Sequence, residues 1–415
     1  MAEVEKRREL RTDLVVETLA LLHTKYRNSL SDLSSDHEAD LTIDEIKQKN
    51  DLMNQLESSL LPSLKHQTTT LSRSLGLNDL RNHHPDPEPE LILRNASNFD
   101  EALKEVVYTA EKIILDSPLP AETHDHHFNR CKRFRFSCLR SRLRTLVQGN
   151  LLNLFGKSIE LLRLWQLSNG PSEDSEHQTK ISKTKESTLL IVDGSLELID
   201  QIINMLPKSD LALLQEEWPV AGKSLNTVLE FTTLITHPTD GSSQRGDMVD
   251  SGGDEKKRED IARWARSTLP LIKLTRLFLH KISKSYTNQL PFTMDKSINS
   301  KTLNRLRLAP LIIAQIFKGL LKNLWIDYRL NRVITDQDQI RASFDKLTET
   351  LESTLLLLSF YLIPLPHTWE KFPLEESPFK LWFLELTELW HRARDHSLGA
   401  LSSAGAENEE LREQP

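Results

Sequence analysis

The strongest constraint on the fold is the helical period of hydrophobic residues in residues 255–285. At 100° per residue, the apolar and small side chains of this stretch fall on one broad face: Ile261, Trp264, Ala265, Thr268, Leu271, Ile272, Leu274, Thr275, Phe278, Leu279 and Ile282. The opposite face carries the basic residues Arg263, Arg266, Lys273, Arg276, Lys281 and Lys284. This pattern predicts an amphipathic helix inside a packed bundle. Because Pro270 lacks a backbone N–H, we expect it to kink this helix or split it in two.

The same period recurs in nearly every segment, and glycine is scarce. The chain has 13 glycines in 415 residues, less than half the usual share of about 7%. Few glycines mean few tight turns, which disfavours sandwiches, barrels and doubly wound sheets. The sequence therefore predicts an all-α fold of about ten helices in two consecutive up-down bundles.

Ten helices are predicted from this period: 3–29, 41–75, 98–115, 128–167, 188–206, 209–237, 255–285, 297–330, 336–361 and 377–397. Asp44 is the predicted cap of the second, and Ser209 or Asp210 that of the sixth. Asn98 and Glu101 have the spacing of a capping box at the start of the third. Pro219 and Pro310 lie inside predicted helices, which we expect them to kink or interrupt.

Composition predicts how the helices are grouped. We expect an N-terminal bundle over 1–167, with a linker rich in proline and acidic residues at 81–90. A polar linker is predicted at 168–185, followed by a C-terminal bundle over 186–397. Within the second bundle, 238–255 shows no period and predicts a disordered loop. The tail 398–415 is expected to be disordered.

The sequence also bears on the compartment. The N-terminus lacks the apolar core of a secretory signal, and the most apolar run, 355–365, is shorter than the roughly 20 residues of a membrane helix. The chain has only two cysteines, too few for a disulfide framework. We therefore expect an intracellular protein, cytoplasmic or nuclear, without a membrane span.

Positive charge is concentrated in residues 130–144, although the whole chain has a net charge of −7. This basic run contains no acid and seven basic residues: Arg130, Lys132, Arg133, Arg135, Arg140, Arg142 and Arg144. With Phe134 and Phe136 between them, they could contact nucleic-acid phosphates, an acidic peptide or a membrane surface. The alternative, which the sequence favours, is a solvated helix face paired with acidic neighbours such as Asp193, Glu197 and Glu216.

No motif points to catalysis or metal binding. The histidines of 124–127 and the His83–His84 pair lack the four-ligand spacing of a zinc site. Cys131 and Cys138 lie seven residues apart, two helical turns, and are predicted to be packed core thiols. The chain has no G-x-S-x-G, H-E-x-x-H, GxxxxGK[ST] or GxGxxG pattern. We therefore predict no catalytic residue, cofactor or metal.

Two segments carry a resemblance to a known family: SDLALLQEEWPVAGKSLNTVLEFTTLI and, after an acidic loop, WARSTLPLIKLTRLFLHKISK. They resemble a family of all-helical fungal proteins that is similar to the helical cyclin-D-binding (Grap2 and cyclin-D interacting) proteins. The resemblance covers about 185–330 and rests on helix order and a few aromatic and basic positions. It implies a helical-bundle interaction protein without catalytic residues.

The function that these observations favour is a non-enzymatic scaffold or adaptor that binds protein partners through helical grooves. The alternative is nucleic-acid or anionic-surface binding through the basic run 130–144. A third class is an enzyme with a site dispersed over several helices. The sequence does not identify the partner or the oligomeric state.

Overall fold

The computed structural model describes residues 2–31, 40–77, 87–114, 119–168, 175–237, 251–283, 292–334, 336–364 and 378–412. Over these residues the fold is all-α, with ten helices and one small two-stranded sheet. The prediction of an all-α fold of about ten helices is confirmed. The chain divides into two compact units, residues 1–208 and 209–415, each of which contains five helices.

The first unit contains helices α1 to α5. Three of them are single segments: α1 is Ala2–Tyr26, α3 is Pro89–Ile114 and α5 is Ser175–Met205. Helix α2 is continuous over three segments, Ile43–Gln55, Leu56–Leu60 and Leu61–Ser74. Helix α4 is likewise continuous over Arg133–Arg144, Thr145–Leu151 and Leu152–Ser168. The middle segments of α2 and α4 are π-helical turns. A short 3₁₀ helix, Asp125–Cys131, precedes α4. The five helices form a ring in the order α1, α3, α2, α5, α4.

The starts of α2 and α3 differ from the prediction. Thr42, not Asp44, caps α2: its hydroxyl accepts a hydrogen bond from Glu45 N, and the Glu45 carboxylate accepts one from Thr42 N at 2.7 Å. These bonds lower the pKa of Glu45. The predicted capping box at Asn98 is wrong, because α3 already begins at Pro89. Proline is favoured in the first helical turn, where its missing N–H leaves no hydrogen bond unmade.

The second unit contains helices α6 to α10. Their bounds are Asp210–Thr236 for α6, Ser251–Ser283 for α7, Ser300–Arg329 for α8, Gln337–Tyr361 for α9 and Pro378–Arg412 for α10. They form a ring in the order α6, α7, α10, α9, α8. Strand β1, Phe292–Met294, pairs antiparallel with β2, Leu362–Pro364, and Thr293 lies opposite Ile363. The predicted cap Ser209 is confirmed, since its hydroxyl accepts a hydrogen bond from Ala212 N.

Helix α7 has the face that its sequence period predicts. Ten of the eleven apolar and small residues of that face are buried, and Leu274 is half-buried. The basic residues of the opposite face are exposed or half-buried, apart from Lys284, which lies outside the described residues. The wide apolar face is buried because α7 packs against α6, α8 and α10.

Pro219, Pro270 and Pro310 lie inside α6, α7 and α8, and all three helices continue through them. We expected each proline to kink or interrupt its helix; the interruption is wrong, and the kink stays a prediction. Pro219 and Pro270 are exposed. Arg266, whose carbonyl lacks a backbone donor because of Pro270, is exposed as well, so water can bind that carbonyl. Pro310 is buried, and the carbonyl four residues earlier, Leu306 O, accepts a hydrogen bond from Trp218 Nε1 at 3.0 Å. A side chain of α6 thus replaces the backbone donor that Pro310 lacks.

The boundary between the bundles also differs from the prediction. It lies between Lys208 and Ser209, not in the polar stretch 168–185, because α5 already begins at Ser175 and buries Ile181. The first half of α5 is mostly polar and therefore resembles a linker in composition. One buried residue in every one or two turns is nevertheless enough to pack this helix against the bundle.

Three further segments that we expected to be irregular are partly helical. Residues 89–90 of the predicted linker belong to α3, and residues 251–255 of the predicted loop belong to α7. The predicted disordered tail is wrong over 398–412, since α10 continues to Arg412 and buries Leu401. The rest of the predicted linker and loop, apart from residues 87–88, lies outside the described residues.

Within the described part of the chain, α8 is the one helix that is long and apolar enough, by length and composition, to cross a membrane. In its most apolar window 44% of the residues are buried inside the structure. The core helix of a bundle passes the same test, so this composition is weak evidence for a membrane span.

Candidate functional site

The basic run 130–144 covers the end of the 3₁₀ helix and the first segment of α4. Its seven basic side chains do not share one solvent-facing surface. Lys132 and Arg135 are buried, Arg144 is exposed, and the other four are half-buried. They spread around the helix because, at 100° per residue, Arg133 and Arg140 point to one side of α4, whereas Arg135 and Arg142 point to the opposite side.

Arg135 holds the C-terminal end of α5. Arg135 is only 8% exposed. Its guanidinium donates to Leu206 O at 2.9 Å and to Lys208 O at 2.8 Å. The last carbonyls of a helix have no partner within the helix and carry partial negative charge. A buried arginine at this place satisfies two carbonyl groups directly after α5 and brings a positive charge to the negative end of the helix.

Four other residues of the run also bind within the first unit. Arg140 donates to Ser31 O at 2.6 Å, just beyond the end of α1. Arg142 donates to Gln201 O at 3.4 Å in the last turns of α5. Arg130 pairs with Glu57 at 3.1 Å, and Arg133 lies 3.8 Å from Glu122. The run therefore joins α4 to the ends of α1 and α5 and to two carboxylates.

The two cysteines are free and buried, as predicted. Burial raises the pKa of Cys131 to about 11, although Lys49, Arg130 and Arg135 act in the opposite direction. Lys49 is itself buried and donates to Ile113 O. A thiol with so high a pKa is protonated at neutral pH and is a poor nucleophile.

The histidines next to this region do not gather around a common point with other ligands. His124 Nδ1 lies 2.8 Å from the Thr123 hydroxyl, and the ring of His127 packs on Phe128 with centroids 3.9 Å apart. Among the residues that the structure describes, no group of three or more His, Cys, Asp or Glu side chains is placed to hold a metal ion. His83 and His84 lie outside those residues.

A surface that the sequence analysis did not single out lies between α9 and α10. The two helices run antiparallel, since Asp345 pairs with Arg394 at 2.9 Å and Glu352 with His391 at 2.8 Å. Alongside these pairs the helices leave an open groove of about 780 Å³, and Asp345, Glu352 and Arg394 are among its lining residues. Leu356 and Leu384 line it and are 56% and 65% exposed. We call this feature the α9–α10 groove; its other apolar lining residues are Leu355 and Phe383.

The apolar surface extends beyond the groove. Phe360, one turn after Leu356, is 72% exposed, and Leu381, three residues before Leu384, is 47% exposed. Scattered exposed leucines are normal on protein surfaces, whereas a contiguous apolar patch marks a binding site. The grouping of these residues on two adjacent helices therefore distinguishes the α9–α10 groove from the other exposed leucines.

The two ends of the groove carry opposite charges. Glu349 lines one end and Lys380 the other, and neither makes an ion pair with any described residue. Asp345 and Glu352 add acidic groups at the Glu349 end, where Arg394 and His391 partly balance them. The groove is thus apolar in the middle, acidic at one end and basic at the other.

One sequence signal could have pointed to this surface. Residues 355–358 are four consecutive leucines followed by Ser359 and Phe360. A helix turns 100° per residue, so four consecutive leucines cannot all face one core. In the structure Leu355 and Leu358 are buried, and Leu356 is exposed.

The comparisons with known proteins agree with the division into two units. Residues 49–207 match the family model described as a domain of unknown function, DUF8723, and residues 209–399 match a second one, DUF8721. A comparison with curated proteins found no match. The two matched segments meet at the boundary between Lys208 and Ser209 and show that each unit resembles a separate domain family.

Proposed function

We propose that this protein is a non-enzymatic helical adaptor and that the α9–α10 groove binds an amphipathic helix of a protein partner. The observation that supports this proposal is the exposed apolar surface formed by Leu356, Phe360 and Leu384 on two adjacent helices. An apolar groove between helices is a common way to bind the apolar face of a partner helix. No catalytic step, cofactor or metal is part of the proposal.

The charges of the groove specify the partner helix. From Asp345 to Ser359 the groove follows α9 over about 21 Å at 1.5 Å per residue. A partner helix of about four turns therefore fits. We expect apolar residues on one face of it, a basic residue near Glu349, and an acidic residue near Lys380. This arrangement also fixes the direction in which the helix binds.

The resemblance of 185–330 to all-helical fungal proteins, a family that is distantly similar to the cyclin-D-binding helical proteins, supports a role in partner binding, although this stretch crosses the boundary at 208–209. Nucleic-acid binding through the basic run receives less support, because five of its arginines bind groups within the first unit. We place the protein in the cytoplasm or nucleus as part of the same proposal, since two buried free thiols suit a reducing compartment.

Selection from a displayed library of helical peptides, each about four turns long, tests the proposal. The purified full chain should enrich peptides with an apolar stripe and a basic residue near one end. The double variant Leu356→Glu/Leu384→Glu should lose these peptides, because two carboxylates in the groove disfavour apolar contact. The matched control is Leu190→Glu on α5, where the leucine is 67% exposed outside the groove.

Charge exchange provides the second arm of the experiment. In the variant Lys380→Glu, the enriched peptides should carry a basic residue at both ends. If the selected peptides bind the double leucine variant as well as the unchanged chain, the groove is not the binding site. If the unchanged chain dimerises in sedimentation and the double variant is monomeric, the groove holds a second copy and the proposed partner helix is wrong.

A further inference from the structure

A separate cavity lies in the second unit, where α7, α8 and α9 meet. Its volume is about 210 Å³. Its buried wall residues are Trp264, Leu324 and Ile334. Its polar wall residues include Asn323, Asp336 and Gln339, which are exposed. The cavity therefore has an apolar interior and a polar entrance.

The indole of Trp264 has an unmet hydrogen bond. Among the described residues of the second unit, three tryptophans are fully buried. Trp218 Nε1 donates to Leu306 O at 3.0 Å, and Trp390 Nε1 donates to the Thr348 hydroxyl at 3.1 Å. Trp264 Nε1 is buried and has no acceptor among the described residues. A buried indole N–H usually has a hydrogen-bond acceptor. Trp264, whose N–H lacks one, is a residue of the cavity wall.

A carboxylate lies in the same wall. Asp327 on α8 lines the cavity, and burial raises its pKa, although Arg332 acts in the opposite direction. A raised pKa means that the local environment does not fully compensate the negative charge. A cation in the cavity would stabilise the ionised form of Asp327.

The size of the cavity limits the ligand. A cavity of about 150 Å³ lined by apolar residues can hold a benzene molecule. A cavity of about 210 Å³ can thus hold one six-membered ring with a short arm, and it is smaller than the roughly 300–1,000 Å³ of sites for drug-sized ligands.

We propose that this cavity binds a small ring-containing amine: the ring packs on the apolar wall, an oxygen on the ring accepts a hydrogen bond from Trp264 Nε1, and the protonated amine pairs with Asp327. Trp264 thereby gains the acceptor that the protein does not supply. The site lies apart from the α9–α10 groove and does not depend on the adaptor proposal.

Tyramine is a suitable probe, because it carries a ring, a phenolic oxygen and an amine. Two analogues each lack one group: phenethylamine has no oxygen, and 4-ethylphenol has no amine. The chain has seven tryptophans, so a full chain labelled with ¹⁵N at tryptophan gives an indole N–H signal for each in an NMR spectrum. The variant Trp264→Phe identifies the signal of Trp264.

Tyramine should shift the Trp264 signal with a dissociation constant of about 1 mM, as expected for a ligand of this size. Each analogue should bind about 10-fold more weakly, since each loses one hydrogen bond or ion pair. Asp327→Asn should weaken tyramine and phenethylamine and leave 4-ethylphenol unchanged.

Gly319 offers a variant that blocks the cavity and keeps the fold. It lies on α8 in the cavity wall, and a Cβ added there would meet nothing within 4 Å. Gly319→Leu should fold, because leucine favours helix over glycine, and should abolish tyramine binding. The matched control is Gly222→Leu on α6, where an added Cβ also meets nothing within 4 Å and the cavity is untouched.

Three outcomes would overturn the proposal. If none of the three probes shifts the Trp264 signal, the cavity holds water only. If all three bind equally, the cavity is merely apolar, and the roles of Trp264 and Asp327 are wrong. If Gly319→Leu binds tyramine as well as Gly222→Leu does, the ligand binds elsewhere.

Discussion

At the scale of single residues, buried charges in the first unit hold the ends of helices. Arg135 donates to two carbonyl oxygens that follow α5, and Arg140 to one that follows α1. From the sequence, the seven basic residues of 130–144 looked like a single charged surface. Their partners are backbone carbonyls far along the chain, which no local sequence pattern reveals, so the interior role of Arg135 could not be predicted.

Replacing Arg135 should destabilise the first unit. Arg135→Met keeps the apolar stem of the side chain but leaves Leu206 O and Lys208 O without their donor. We expect a loss of about 1.5–3 kcal/mol, the usual range for hydrogen bonds to a charged group. Urea unfolding of the full chain, followed by circular dichroism, measures it. Arg144→Met is the control, because Arg144 is exposed and should change stability by less than about 0.5 kcal/mol. Equal effects of the two variants would contradict the role of Arg135.

The buried thiol of Cys131 should make stability depend on pH. Its pKa rises from 9.0 to about 11 on folding, so the folded state favours the protonated thiol. This contribution is fully present below about pH 9 and is lost as the pH rises towards 11. Over that interval the unchanged chain should lose up to about 3 kcal/mol more than Cys131→Ala, since each pKa unit corresponds to about 1.4 kcal/mol. If the unfolding midpoints of the two proteins change by the same amount between pH 9 and 11, burial does not raise the pKa of the Cys131 thiol.

At the scale of helices, the sequence predicts features that depend on the local spacing of apolar residues. It does not predict features that depend on packing between helices. The buried face of α7 follows from spacing alone, since one stripe of apolar side chains suffices to place a helix on a core. The effect of Pro310 does not, because a proline in a helix is destabilising by local rules. The local penalty at Pro310 is offset by Trp218, which lies 92 residues earlier and on another helix.

The contribution to stability of the hydrogen bond from Trp218 Nε1 to Leu306 O should depend on whether residue 310 is proline. Trp218→Phe leaves a buried carbonyl unsatisfied and should cost about 1–3 kcal/mol. In the background Pro310→Ala, the new backbone N–H can bind Leu306 O, so the same tryptophan substitution should cost at least about 1 kcal/mol less. A double-mutant cycle of urea unfolding measures this coupling. A cycle that closes with zero coupling would show that Trp218 does not replace the missing donor.

At the scale of the whole molecule, the number of bundles could be predicted but the boundary could not. Composition predicts a boundary at the polar stretch 168–185, because polar residues are typical of linkers. The structure places it after α5, because α5 packs on α2 and α4 and its end is held by Arg135. The α9–α10 groove was missed for a related reason: the four leucines of 355–358 indicate that α9 has an exposed apolar side, but the groove forms only where α10 packs beside it.

Truncation tests the boundary. The fragment 1–208 should be soluble and helical and should show slow hydrogen exchange in α4, since all five helices of its ring are present. The fragment 1–174 lacks α5 and should exchange rapidly throughout α4, because Arg135 and the buried face of α4 lose their partners. Circular dichroism and hydrogen exchange followed by mass spectrometry measure the difference. Equal protection in the two fragments would support the boundary at 168–185 instead.

The hydrogen bonds from Arg135 to Leu206 O and Lys208 O also set an order of events during synthesis. Ribosomes add about 5–20 residues per second, so Arg135 leaves the ribosome several seconds before its two acceptors exist. Until then the guanidinium of Arg135 lacks its two acceptors and keeps its hydration, so we expect the first turn of α4 to stay open. The last residues of the first unit to be made are those that complete it, and a nascent chain that stalls shortly before residue 206 exposes an open four-helix intermediate to chaperones and proteases.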